Sequence, residues 1–238
     1  GLTLIFSMMG VLNFAHTSFY MLGAYFAYTI SSVVGFWPAL LLAPLAVGAL
    51  GAIFERYSLR RVHKFGHVPE LLVTFGLSYL ILELVQLVWG RSTVPYGLPT
   101  QLQGPLFTLY GTQFPKSRSF VMLVALLMLV SVWLLLTRTR AGAVVRAVAV
   151  APQFAHLVGI NVRSTAALAY GLGGALVAVC GVLVSMFLPF SAGMGTMFAM
   201  KALIVVIMGG VGNLMGCLVA GMLLGFAETL VASFVDPG

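Results

Sequence analysis

Few side chains in this sequence could do chemistry, and most of them stand inside apolar runs. Asn13 and His16 are three apart, on one helical face if that turn is helical, with apolar residues around them. Polar groups in a membrane segment are costly. They mark either a solute path, a polar contact between helices or, more plainly, a helix start at the membrane boundary. Glu83 lies deeper in an apolar run and is either functional or paired with a neighbouring helix. Lys201 and Glu228 stand near the outer ends of their segments, where snorkelling to the interface accounts for them. Cys180 and Cys217 read as small packing residues. His63 and His67 have the spacing of helical metal ligands, yet no third ligand is close and no HExxH motif exists, so no metal is expected. Neither a GxSxG elbow nor a GxxxxGK[ST] phosphate loop is present. The chain is therefore not read as an enzyme and is expected to bind no cofactor. If ATP drives it, a partner must supply the nucleotide and its Mg.

The elements that must position these residues follow from composition. The 238 residues are 61% hydrophobic and 7% charged, with a mean hydropathy of +1.10. Soluble domains carry about 25% charged residues, so this is an integral membrane protein. Long apolar runs separated by short polar gaps indicate helices; the ~10-residue alternating segments of a barrel are absent. The net charge of +7 is a statement about topology and predicts no nucleic-acid partner. Arg56, Arg60, Arg61 and Lys64 fall in one loop and Arg138, Arg140, Arg146 and Arg163 in another, which places both on the cytoplasmic side.

Spans are expected at Thr17–Val34, Phe36–Phe54, Leu71–Trp89, Phe120–Leu136, Ser164–Leu188 and Leu214–Phe234. Gly1–Val11 is too short to cross alone, and the run suggests a chain that continues before Gly1 and after Gly238. Residues 90–119, rich in Pro and Gly, predict an extended external loop and a candidate surface for an extracytoplasmic partner. The short apolar segment Ala202–Met208 stops at Gly209, Gly210, Gly212 and Asn213, which suggests a discontinuous or re-entrant helix.

Residues 137–161 are neither a span nor a turn-rich connector. Gly142 to Val150 reads as one short helix, Ala151-Pro152 restarts the pattern, and Gln153 to Val158 runs to a stop at Gly159-Ile160-Asn161. Two short helices in a basic loop form a docking surface that a soluble partner could grip.

Four blocks in order, GLTLIFSMMGVLNFAHTSFYMLGAY, ERYSLRRV, RAGAVVRAVAVAPQFAHLVGINV and KALIVVIMGGVGNLMGCLVAGMLLGFAETL, resemble the inner-membrane permease subunits of branched-chain amino-acid ABC transporters. The resemblance implies a bacterial or archaeal inner-membrane protein that pairs with a second, related permease and two cytoplasmic ATPase subunits. An extracytoplasmic binding protein would deliver hydrophobic amino acids. Gly142, Arg146, Gly159 and Ile160 match the segment that would form the coupling helices on the ATPases. The chain departs from its relatives at Gly10, Thr17-Ser18, Ala151 and Gln153, and Glu83 stands where a neutral residue is usual. These departures leave the substrate open among branched-chain amino acids, other amino acids, urea and short amides.

The expectation is an all-α, polytopic transmembrane helical bundle forming a single permease domain over residues 1–238, with discontinuous or short helices and a cytoplasmic coupling-helix loop. Asn13, His16 and Glu83 are the candidate path residues. The competing reading is a gradient-driven secondary transporter of small polar solutes with Glu83 as its ion site.

Overall fold

The computed structural model describes residues 13–62, 65–94, 99, 102–109, 112–191, 193–210 and 212–235. The first apolar run, His63, Lys64, Val211 and the last three residues therefore lie outside the described residues.

Helix α1 (Ala15–Val34) is followed by α2 (Phe36–Phe54) with one residue between them. That residue is Gly35, at φ +89, a left-handed conformation that breaks the helix and lets the chain reverse at once. α2 continues through a π-helical turn, Glu55–Leu59, and a last turn, Arg60–Val62. α3 (His67–Trp89) crosses back. Strands β1 (Pro105–Leu109) and β2 (Thr112–Pro115) form an antiparallel hairpin before α4 (Lys116–Arg138). The short pair α5 (Arg140–Val150) and α6 (Pro152–Leu157) leads into α7 (Val162–Ser185). α8 (Met194–Gly209) and α9 (Leu214–Val235) close the chain as a helical hairpin.

Among the described residues five helical stretches are long and apolar enough to cross a membrane: Phe36–Val62, Val68–Trp89, Lys116–Arg138, Val162–Ser185 and Met215–Ala232. With one apolar helix of 16 residues, Met194–Gly209, they make the short-helix bundle expected from the sequence. α1 has the length of a span at 20 residues but is not among the five. It is more polar because it is enclosed: α2, α3, α7 and α8 pack around it, and Phe19, Tyr20, Met21, Ala24 and Tyr25 are all buried. Protein, rather than lipid, is its solvent. α4 is the opposite case, with Met122, Leu123, Leu126 and Leu127 all exposed, as a lipid-facing or partner-facing helix must have them.

Close approach of α1 and α7 fixes the core. A Cβ on Gly181 would stand 2.0 Å from the Tyr20 carbonyl oxygen, and one on Gly23 would stand 2.5 Å from the Ala178 carbonyl oxygen. Small residues at such crossings let backbones touch where no hydrophobic effect drives helices together in lipid. Phe19 and Tyr170 meet edge-on beside this seam at 6.1 Å.

Two sequence expectations need correction. The loop at 90–119 is not simply extended, because PLFTL and TQFP pair as strands, with Leu109 opposite Thr112. Val94 adds a second tie by exchanging backbone hydrogen bonds with Phe190, 2.9 and 3.2 Å, after α7. The apolar segment at Ala202–Met208 begins eight residues earlier, at Met194, since Lys201 sits inside the helix. Its charge is met by a partner rather than by a helix end.

Candidate functional site

The polar side chains at the start of α1 open onto a cavity of about 650 Å³. Asn13, His16, Thr17 and Tyr20 all line it, and their spacing i, i+3, i+4, i+7 puts them on one helical face. Opposite them, α4 supplies Met128, Leu129 and Val132, α7 supplies Leu176 and Val177, and α8 supplies Phe198 and Val206. The result is an apolar chamber with one polar stripe. Its size and character are those of small-molecule sites.

Asn13 makes two structural contacts. Its Oδ1 accepts from the Ala15 amide at 3.0 Å, so it steadies the helix start. Its Nδ2 donates to the Tyr170 hydroxyl, so it also ties the start of α1 to α7. His16 is 3% exposed, and its Nδ1 is buried without a hydrogen-bond partner among the described residues. The Tyr20 hydroxyl, in a residue 7% exposed, is buried in the same condition. Tyr20 carried no signal in the sequence beyond its place four residues after His16.

The basic loop reaches the same cavity. Val145, Arg146 and Ala149 of α5 form part of the wall, with Gly212 and Cys217 of the α8–α9 hairpin nearby. α5 is held against α4 by the Thr139 side chain, which accepts from the Gly142 amide at 3.0 Å and donates to the Leu135 carbonyl at 2.6 Å. Gly142 has no room for a side chain there: a Cβ would lie 2.0 Å from the Leu135 oxygen. Gly159, at φ +81 in open space, is required for backbone conformation alone. It ends α6 with the Ile160 amide donating to the Ala155 carbonyl at 3.1 Å. On the outward side Val150, Phe154, Leu157 and Val158 are 85%, 70%, 81% and 77% exposed. Val145, Val148 and Ala155 are buried.

A second contact ties the exit of this loop to α2. Arg60 donates to the Arg163 backbone carbonyl at 3.0 Å and to Glu55 Oε2 at 3.5 Å, and Glu55 is buried. Charged hydrogen bonds of this kind contribute ~1.5–3 kcal/mol. Arg60→Gln is expected to lower the thermal midpoint of the detergent-solubilised protein by several degrees, measured by a fluorescence melt, with Arg61→Gln as the unaffected control.

The remaining candidates sit elsewhere. Glu83 is exposed on α3 and does not line the cavity, so its position lends no support to an ion site on the path. Lys201 and Glu228 are not independent snorkelling residues: they pair with each other at 2.8 Å between α8 and α9. Cys180 is exposed and lines the cavity, contrary to the buried packing role its apolar surroundings suggested. Gly209 serves a close crossing, since its Cβ would meet the Cys217 Cα at 2.4 Å, and Asn213 caps α9 by accepting from the Gly216 amide at 3.1 Å. Gly210, which shares the left-handed backbone of Gly212, makes the turn between them. Among the described residues no group of three His, Cys, Asp or Glu side chains could hold a metal ion.

A bundle of apolar helices around an amphipathic chamber, open to a basic two-helix loop, defines a multi-pass membrane transport protein. Residues 1–236 match the family model described as the permease component of branched-chain amino acid transport systems, and the chain belongs to that family. It is a permease subunit of an ABC importer, a component of a larger transport system. The chain is 29% identical to the high-affinity branched-chain amino acid transport system permease protein LivH of Escherichia coli, over 99% of this chain and 81% of that one. The permease protein BraD of Pseudomonas aeruginosa is also 29% identical, over 98% and 80%. A probable LivH from the archaeon Methanocaldococcus jannaschii is 27% identical, over 99% and 76%. No solved structure matches the chain.

Proposed function

We propose that this permease forms half of an alternating-access path for branched-chain amino acids across the bacterial or archaeal plasma membrane. It works with a second related permease, two cytoplasmic ATPases that bind ATP and Mg, and an extracytoplasmic binding protein. The observation that carries the proposal is the shared cavity: one wall comes from Asn13 and His16, another from Val145, Arg146 and Ala149 of the basic loop. A partner that moves α5 must therefore change the chamber in which a solute would sit. The work comes from differential contact, because a loop gripped equally in two states transmits nothing.

The substrate assignment rests on relatives whose names specify branched-chain amino acids and on a chamber that is apolar apart from one stripe. The test is leucine uptake into proteoliposomes holding the complete transporter. Uptake is expected to require internal or external ATP on the ATPase side, to stay absent under a proton or sodium gradient alone, and to survive Glu83→Gln. Gradient-driven uptake by the permease without ATP, lost in Glu83→Gln, would overturn the proposal in favour of a secondary transporter.

A further inference from the structure

The outward face of α3 carries two polar side chains at a depth where lipid cannot serve them. Leu72, Phe75, Tyr79, Leu80, Glu83 and Leu87 are all exposed, and their helical spacing draws one stripe along α3. The opposite stripe, Thr74, Ile81 and Val85, is buried. α3 is apolar enough to cross the membrane over Val68–Trp89, so Tyr79 stands at the middle of that span. Glu83 is about 7 Å further outward, inside a hydrocarbon layer ~30 Å thick.

Glu83 is badly placed to reach water. The helix follows the basic cytoplasmic loop that holds Arg56, Arg60 and Arg61, and its side chains lean toward its N-terminus. The Glu83 carboxyl therefore tilts toward the membrane centre and away from the nearer, outer surface. Tyr79 is likewise far from the interfacial belts where a phenol is at home. Neither side chain makes a hydrogen bond or an ion pair among the described residues. Arg91, the first cation after the helix, donates to Gln86 at 3.0 Å instead. Ionisable groups at membrane depth persist where protein covers them and supplies a partner.

The stripe's own composition says which protein. α3 holds no Lys or Arg. A second copy of this chain, related by a two-fold axis along the membrane normal, would bring another carboxylate to the same depth and no cation to meet either. The complementary surface therefore belongs to a different chain. Aromatic contacts ready the stripe for it: the Phe75 ring lies 5.9 Å from Phe14 and 5.1 Å from Tyr79, so these rings are held before a partner arrives.

We infer that this face of α3 seats the second permease subunit, one of whose membrane helices presents a hydrogen-bond donor to Glu83 while Tyr79 packs one turn below. The inference rests on the transport reading above and names the surface by which the two halves meet. It is consistent with uptake surviving Glu83→Gln, because an amide oxygen accepts the same bond.

In the complete transporter with Cys180 and Cys217 replaced by serine, a benzophenone maleimide would be attached at Leu80→Cys and, separately, at Leu87→Cys. These sites lie one turn to either side of Glu83. After illumination the adducts would be identified by mass spectrometry. Adducts from both sites to the second permease are expected. Adducts to phospholipid, to a second copy of this chain or to another segment of this chain would overturn the inference.

Retention of the second permease through detergent extraction gives an independent reading. Glu83→Leu is expected to lower it about fivefold, the scale of one interhelical hydrogen bond in lipid, and Glu83→Gln to preserve it. A lipid-facing position would favour leucine, so unaltered or increased retention in Glu83→Leu would also overturn the inference. An unsubstituted chain that retains no second permease at all would instead contradict the transport reading beneath it, which keeps the two failures distinct.

Discussion

Leu157→Asp is expected to abolish ATP-driven uptake, by at least ~100-fold, while the permease stays in the membrane at its normal amount. Leu157 is 81% exposed at the tip of α6, beside Phe154 and Val158, which are equally bare. These side chains lie in the loop that carries Arg138, Arg140 and Arg163, a basic end that the positive-inside rule assigns to water rather than to hydrocarbon. Large apolar groups clustered in water mark a protein contact. A carboxylate buried at the centre of such a contact costs several kcal/mol, and 2.7 kcal/mol already corresponds to a hundredfold. The fold should be indifferent, because the inward side of the same pair is made by Val145, Val148 and Ala155. The check is uptake normalised to permease quantity on a blot. Normal uptake would remove this tip from the coupling contact.

Gly181→Leu carries the second large effect, and acts on the fold. The Cβ alone would come within 2.0 Å of the Tyr20 carbonyl oxygen and 3.5 Å of the Ala24 amide. Backbone cannot swing aside as a side-chain end can, so α1 and α7 must separate, opening the seam that holds Phe19, Tyr25 and Tyr170. Overpacking of this severity exceeds the usual 1–3 kcal/mol. The variant is expected to yield less than a tenth of the monodisperse protein after detergent extraction, as ~1.4 kcal/mol per tenfold requires for a marginal fold. Gly76→Leu is the control, since a Cβ there meets nothing within 4 Å. Equal recovery of the two variants would mean that the α1–α7 seam is looser than these distances say.

Much of the architecture was legible in the sequence because lipid imposes a simple rule of length and apolarity. Phe36–Phe54 matched to the residue, and Ala151-Pro152 marked the restart between α5 and α6. Gly142 and Gly159 were both singled out, though for one role; the structure separates them into a close approach and a left-handed turn.

What the sequence hid are relations between distant residues. Asn13 bonds Tyr170, 157 residues away, and nothing local to either announces the pair. Lys201 and Glu228 each look like a lone charge near a boundary until α8 and α9 fold together as a hairpin. Cys180 reads as a packing residue because its neighbours are apolar; only the cavity between α1, α4, α7 and α8 gives it a surface. Glu83, read as functional or paired with a neighbouring helix, stands exposed on α3, a helix that contributes no residue to the cavity.

The most direct test of the account is whether the tip of the basic loop touches an ATPase, and whether that contact changes with nucleotide. Cysteine crosslinking from Leu157→Cys, in a permease with Cys180 and Cys217 both replaced by serine, would be measured in the assembled transporter with and without ATP. The account predicts an adduct between permease and ATPase whose yield differs between the two conditions. An assembled complex that gives no adduct from this position, or the same yield in both conditions, would contradict it.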